Sequence, residues 1–360
     1  MDLDKLQKSA NIHHRVQDKI LNYLDIQEKT KIDLFLLKKF IKSEILNELY
    51  KENIFNKNPE NWNGRHYSCG IAFPICLSVD NIAAHYSPNK SVFFDATKSI
   101  VKIDYGLHIG GNIVDSAFNY TLNEDLKILD QYSKEATNLA IKESGIDVNI
   151  FDIGSNIEEY IDSLEININN KECQIKSFND LCGHKIGLYK VHDNVPFPNI
   201  NAYKRNIIDK NSSYRLKEGD CFAIEPYLTT GTGFHVPFTD EQINSNPILC
   251  QDKEAVKFHI YNFDYHKIIN YTNVKKHIGP NTYKEIIPKF IPKYLDKIQK
   301  KFYYLPFELS ELPDDKLLCF NSLLAHGLFE EHNIVVDIKN SYIAQTEKNI
   351  YISSSKTIEL

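Results

Sequence analysis

No stretch of the sequence approaches the roughly 20 consecutive apolar residues that a membrane span requires. The most apolar early run, IDLFLLKKF at 32–40, carries one aspartate and two lysines. The opening residues, MDLDKLQKSANIHHRV, contain no apolar core of a secretory signal. The seven cysteines (Cys69, Cys76, Cys173, Cys182, Cys221, Cys250 and Cys319) are odd in number and form no C-x-x-C pair. A zinc ribbon and a closed disulfide framework are therefore not expected; buried thiols in a reducing compartment are, and the expected location is the cytoplasm. Basic charge is not in excess either, with 42 Lys and Arg against 48 Asp and Glu and a net charge of −6. That balance gives no general reason to expect a nucleic acid, and DNA is not expected as a partner.

What is present is an ordinary globular composition, 42% hydrophobic and 25% charged over 360 residues. The pattern predicts one α/β (α+β) domain spanning 1–360. Leu6, Ala10, His13, Val16, Ile20 and Leu24 recur at helical spacing, and a polar break follows near Asp25–Lys29. Thr30 with Asp33 resembles a capping box that opens a second helix through Leu34, Leu37, Ile41, Ile45 and Leu49. From about Arg65 to Leu122, short β-branched and aromatic runs divided by Gly, Asn, Ser and Pro read as sheet. Asn123 is positioned to cap a helix through Leu126, Leu129, Ala136 and Ala140, with Gly145 as its stop, and another helix runs through Ile153, Ile157, Ile161 and Leu164. Strand-like runs return from Cys173 to Thr230. Helix, helix, sheet thus occurs twice, which predicts two related halves.

Between 234 and 331 the texture changes. YKEIIPKFIPKYLDKIQKKF is Lys-rich, periodic and interrupted by two prolines, so 234–331 reads as an inserted, mainly helical subdomain. Its bland interpretation is a solvated basic face; the alternative is a nucleic-acid- or ribosome-facing patch, because Lys interleaves with Tyr and Phe. The tail SYIAQTEKNIYISS returns to strand alternation.

The sharpest chemical feature is KIDYGLHIGGNIVDSAF. Gly110-Gly111 is a two-residue hairpin signal. A turn there sets Asp115 opposite Gly106, with Asp104 two residues along, so both carboxylates leave one face as diagonal neighbours. On an apolar sheet that pair calls for a cation, although two solvent-facing aspartates fit the same pattern. His184 lies in LCGHKIGLY, Glu225 in CFAIEPYLTTG and Glu347 in YIAQTEKNIY. Taken singly, His184 fits a plain core histidine and Glu347 a surface residue beside Lys348. Together, two Asp, one His and two Glu make a mixed O/N ligand set whose four carboxylates balance two divalent cations. The lack of thiolate ligands favours Mn, Fe, Co or Zn in a catalytic setting without choosing among them. His85, in NIAAHYSPN, and His192, which ends YKVH, are two further histidines suited to shuttling protons or holding a developing oxyanion. If one strand spans His184 and His192, their even spacing places them on one face.

In this order GIAFPICLSVDNIAAHYSPN, KIDYGLHIGGNIVDSAF, GHKIGLYKVH, AIEPYLTTGTG and IKNSYIAQTEK resemble the type 2 methionine aminopeptidases, from roughly residue 8 to residue 352. The resemblance implies the pita-bread fold, two pseudo-symmetric α/β halves around a dinuclear metal site, with 234–331 as the helical insertion of type 2 enzymes. It implies that Asp104 chelates one ion, Asp115 and Glu347 bridge both, and His184 and Glu225 complete the second. His85 would be the catalytic histidine near the scissile peptide, His192 a second one touching substrate, and Glu225 a proton carrier. Phe73, Val191 and His259 would shape the methionine pocket.

The implied reaction is removal of initiator methionine from nascent polypeptides with a small second residue, by a monomer working near the ribosome and away from membranes. Two departures stand out. The family's last glutamate lies in a Phe-Glu-His-Thr context where this chain has Thr346, Glu347, Lys348 and Asn349, and the family's pocket tyrosine is replaced near His332. The alternative from a different class is a non-catalytic partner- or RNA-binding protein on the same fold; such relatives have lost metal ligands, and all five are present here. A prolidase-like specificity is a third reading, against which AAHYSPN and the insert length argue.

Overall fold

Asp2 opens the first helix by accepting the backbone N–H of Lys5, and α1 (Leu3–Ile26) follows with Leu6, Ile12, Val16, Ile20 and Leu24 buried along one stripe. In this computed structural model the described residues are 1–54, 64–204, 214–257, 260–263, 291–312, 320–321, 324–325 and 327–360. The second helix, α2 (Leu34–Lys51), starts where the apolar run does, but its cap is Asp33. The Asp33 carboxylate accepts from the N–H groups of Phe35 and Leu36, while the Thr30 hydroxyl turns back to Glu28, so no capping box forms.

Both helices lie on the first sheet, made of β1 (Cys69–Ile71), β2 (Cys76–Val79), β4 (Val101–Ile109) and β5 (Asn112–Tyr120), with β3 (Ile82–Ala84) turning back after β2. The long strand β4 organises this sheet. It pairs with β5 over its whole length on one edge and with β2 and β1 in succession on the other. Gly110 and Gly111 take φ of 56° and 80°, the left-handed pair that a two-residue turn needs, and so fix the β4–β5 register.

The motif then recurs. Asn123 caps α3 (Glu124–Glu143) by accepting from Asp125 and Leu126, and α4 (Ile150–Asp162) follows. The helix α3 ends ahead of Gly145, where Ser144 turns to extended backbone (ψ 131°) and its hydroxyl donates to the Ala140 carbonyl. These helices cover the second sheet, where β6 (Gly183–Lys185) and β7 (Cys221–Ile224) pair and β8 (Tyr227–Thr229) belongs to a smaller sheet beside them.

The described part of 234–331 contains helix and sheet together. Strand β9 (Ile260–Phe263) is flanked by β10 (Phe307–Glu308) and β11 (Phe329–His332), and α5 (Ile291–Phe302) packs Phe302 into a cluster with Phe307, Phe320 and Phe329. Helical periodicity was legible in the Lys-rich run; the three short strands around it carry no comparable signal.

The chain then returns to both halves. Strand β12 (Val335–Val336) pairs with β3, β13 (Ile343–Gln345) with β8, and β14 (Lys348–Ile352) with β7 and the closing β15 (Thr357–Glu359). Each half keeps its own core: Ile12, Leu37, Ile41, Leu77 and Tyr105 in the first, Leu126, Ile157, Phe197, Phe222 and Ile350 in the second. Among the described cysteines all are free, but Cys182 and Cys250 are exposed, so the expectation of uniformly buried thiols fails there; Cys319 lies outside the described residues. Among the described residues no helix is long and apolar enough to cross a membrane.

Candidate metal centre

The β4–β5 hairpin pairs Gly106 with Asp115 and Asp104 with Ala117, which is the register the turn signal predicts. Both aspartates therefore leave the same face. Asp115 is 3% exposed and its backbone N–H donates to Asn349 Oδ1 at 2.7 Å, tying the hairpin to β14. Gly106 makes room for the site: a Cβ there would stand 2.3 Å from Phe73 Cε1, so only glycine lets the Phe73 ring lie against the strand at this point.

The second half brings the other three groups. His184 sits in the middle of β6, paired with Ala223 of β7, and Glu225 follows β7 directly. Glu347 occupies the break between β13 and β14, where its N–H donates to the Ala117 carbonyl and its carbonyl accepts the Ser116 hydroxyl. The C-terminal strands thus deliver Glu347 to the hairpin that carries Asp115. Lys348 turns the other way, 3.7 Å from Glu359 Oε1, so its charge is kept off the carboxylates.

His184 Nε2 stands 3.6 Å from Asp115 Oδ2 and 3.4 Å from Glu225 Oε1. These separations are long for hydrogen bonds but match donor atoms sharing one cation at about 2.1 Å. Asp115, His184 and Glu347 each offer a donor atom within 4.8 Å of the others. Among the described residues Asp104 Oδ1 and Glu347 Oε1 are buried with no hydrogen-bond partner, an arrangement that is costly unless something cationic arrives. Burial and mutual repulsion push Asp104, Asp115 and Glu347 well above the ordinary carboxylate range, and Glu225 up to about 8. Burial takes His184 down to about 4, so it is a neutral ligand. The residues fit a divalent cation with oxygen and imidazole donors.

The centre opens into a cavity of about 890 Å³ lined by Phe73, Val191, His85, His192 and His332 as well as the carboxylates. His259 lies outside the described residues. The strand carrying His184 ends at Lys185, and Gly187–Lys190 closes a turn with Tyr189 at φ 58°, so His192 does not share a strand face with His184. The turn nevertheless folds the His192 ring back to 4.2 Å from that of His184. His85, in the left-handed region at φ 69°, places Nδ1 2.8 Å from the Asn333 carbonyl. Three residues were not singled out for the centre from sequence. Tyr227 and Gln345 both donate to Glu225 Oε2, at 2.8 and 3.0 Å; each lies two residues from a site glutamate, the one available signal. His332 joins the histidine wall.

The model of metallopeptidase family M24 matches residues 4–248. The chain belongs to metallopeptidase family M24. Curated relatives of this M24 chain are named methionine aminopeptidase 2. That of Botryotinia fuckeliana is 34% identical over 80% of this chain, and that of Lachancea thermotolerans 30% identical over 96% of it and 73% of the relative. The chain spans 57% of the length of the Botryotinia relative. Among solved structures, a methionine aminopeptidase from Thermotoga maritima aligns with all of this chain and 97% of its own at a TM-score of 0.53 and 15% identity. A thermophilic Arx1 aligns over all of this chain and 91% of its own at 0.63 and 13%. At those identities the likeness is one of fold, and the fold is the pita-bread architecture of the M24 family, as the doubled helix-helix-sheet pattern leads one to expect.

Proposed function

We propose that this M24 chain is a dinuclear metallo-aminopeptidase that removes the initiator methionine from polypeptides whose second residue is small. The observation that carries the reading is the convergence of Asp104, Asp115, His184, Glu225 and Glu347, drawn from both halves, on one buried and partly unpartnered cluster. In this reading Asp104, Asp115, His184, Glu225 and Glu347 would hold the ions between them. Two divalent ions, Mn, Co, Fe or Zn, would polarise the scissile carbonyl and supply an activated water at neutral pH.

The remaining steps fall to side chains. The acidic walls neutralise the substrate's free amine, which selects an N-terminus over an internal peptide. Glu225, steadied by Tyr227 and Gln345, is placed to carry a proton towards the leaving amine. His85 donates through Nδ1 to the Asn333 carbonyl, which leaves the Nε2 lone pair free to accept the N–H of the scissile peptide. His192, beside His184, holds the oxyanion side of the carbonyl. Phe73 and Val191 give the methionine side chain an apolar seat.

The test is to strip the protein with chelator, restore Mn or Co and follow methionine release from Met-Ala-Ser. Release that disappears in Asp115→Ala supports the reading. No release with any divalent ion from a folded protein overturns it, and points to a binding protein on the same fold.

A further inference from the structure

One wall of the cavity carries imidazoles, and among them His332 is left unused by the proposed reaction. It ends β11 opposite Ile260, with its ring centroid 5.5 Å from that of His85 and 5.6 Å from that of His192. Its Nε2 is buried with no hydrogen-bond partner among the described residues. A proton on Nε2 would leave a sealed N–H unpaired, which folded proteins avoid more strictly than an unpaired acceptor. The neutral ring therefore keeps its proton on Nδ1, the nitrogen left to meet the cavity that His332 lines. Burial keeps the ring neutral, with its pKa down at about 3. His85 has the complementary arrangement, with Nδ1–H committed to Asn333 and Nε2 free to accept.

One acceptor and one donor, 5.5 Å apart ring to ring, match a single residue of extended chain. In such a residue the N–H and C=O point the same way, as when residues of antiparallel strands about 5.5 Å apart exchange both bonds. His332 also lies two ring-to-ring steps, 4.2 and 5.6 Å, beyond the ligand His184, within the span of about three residues of extended chain. We propose that His85 and His332 bind the substrate's second residue as a neighbouring strand would, His85 Nε2 accepting its N–H and His332 Nδ1 donating to its carbonyl oxygen. His332 is then a specificity-determining residue, and the class of substrate it selects is a peptide that continues beyond the scissile bond. This rests on the aminopeptidase reading above.

The experiment compares kcat/KM for Met-Ala-Ser with that for methionine 4-nitroanilide, which has no carbonyl beyond the scissile amide, in the metal-loaded wild type, His332→Ala and His332→Asn. Inhibition by the reduced-amide analogue of Met-Ala-Ser gives a binding readout alongside. One neutral hydrogen bond is worth about two- to tenfold in affinity, so His332→Ala should lower the peptide-to-anilide ratio by about that factor. The change should come through KM and weaken the analogue equally, and His332→Asn, which restores an N–H near the Nδ1 position, should recover part of it. Equal losses on both substrates mean a structural role and overturn the inference while the peptidase reading stands. A wild type that cleaves neither substrate overturns both.

Discussion

Asp115 stands directly opposite Gly106 in the β4–β5 ladder, and the Phe73 ring fills the space where a Gly106 side chain would be. The distance between the two aspartates and the apolar end of the cavity thus depends on one missing methyl group. Gly106→Ala would place carbon 2.3 Å from Phe73 Cε1, well inside contact distance. Either the ring leaves the cavity wall or the strand shifts, and overpacking of this kind costs about 1–3 kcal/mol. The expected result is a lower melting temperature together with a raised KM for methionyl peptides. A normal KM would mean that Phe73 does not line the side-chain seat.

The crowded carboxylates give the metal-free protein a pH dependence of definite sign. Glu225 is held up at about 8 in the folded chain, and Asp104, Asp115 and Glu347 are also raised. A group with a raised folded pKa binds more protons folded than unfolded, so its destabilisation starts near the unfolded carboxylate value of about 4.5 and grows until pH passes about 8. His184, lowered to about 4, acts in the opposite sense, but only between about 4 and the unfolded histidine value of about 6.5. Lys102, lowered by burial to about 7, opposes the carboxylates above that pH but is one group against four, so between pH 6.5 and 8 the melting temperature of chelator-treated protein should fall as pH rises, and saturating Mn should abolish the fall. A flat or rising profile without metal would contradict the carboxylate clustering.

Much of this centre was legible because its information is local. A Gly-Gly turn with period-2 alternation is enough to place Asp104 and Asp115 on one face, and the helix stripes of α1 to α4 follow from spacing alone. What the sequence could not convey is what depends on a turn or on a distant partner. His192 reaches His184 through a left-handed turn at Tyr189 rather than along a strand. Asp33 rather than Thr30 is the cap because the helix starts at Leu34, which puts the free N–H groups of Phe35 and Leu36 within reach of Asp33 and beyond Thr30. His332 joins His85 because β12, just beyond it, pairs with β3 and the Asn333 carbonyl accepts from His85 Nδ1, contacts between segments some 250 residues apart with no periodic signal in either.

Asp337 is buried completely and has no cationic partner among the described residues, so hydrogen bonds hold its side chain. Its carboxylate accepts from the Thr229 and Thr232 hydroxyls at 2.8 and 2.6 Å and from the N–H groups of Thr232, Gly233 and Ile338. Those donors fix the Thr229–Gly233 bend, which leads to His235 on the cavity wall. Asp337→Ala would orphan several buried donors at once and should destabilise the protein by about 3 kcal/mol or more in denaturant unfolding. Asp337→Asn should cost less but still weaken it, because its amide N–H₂ would face donors. A loss under about 1 kcal/mol for the alanine variant would show that water replaces the carboxylate freely.

Glu347 and Lys348 are adjacent in sequence yet should behave as unrelated residues. Glu347 is 1% exposed, its Oε1 has no hydrogen-bond partner among the described residues, and the Gln345 amide reaches only the other oxygen. Lys348 leans out to Glu359 at 3.7 Å with its side chain partly solvated. An exposed pair of that length is worth about 0–1 kcal/mol, so Lys348→Ala should leave both the melting temperature and the divalent-ion affinity nearly unchanged. Glu347→Gln keeps the shape but removes one negative charge from the cluster. It should reduce Mn affinity by tenfold or more in a chelator competition, while raising the stability of the metal-free protein above pH 7 by relieving repulsion among the carboxylates. Loss of metal binding in Lys348→Ala instead would mean that the lysine, not strand alternation, sets the conformation of Glu347.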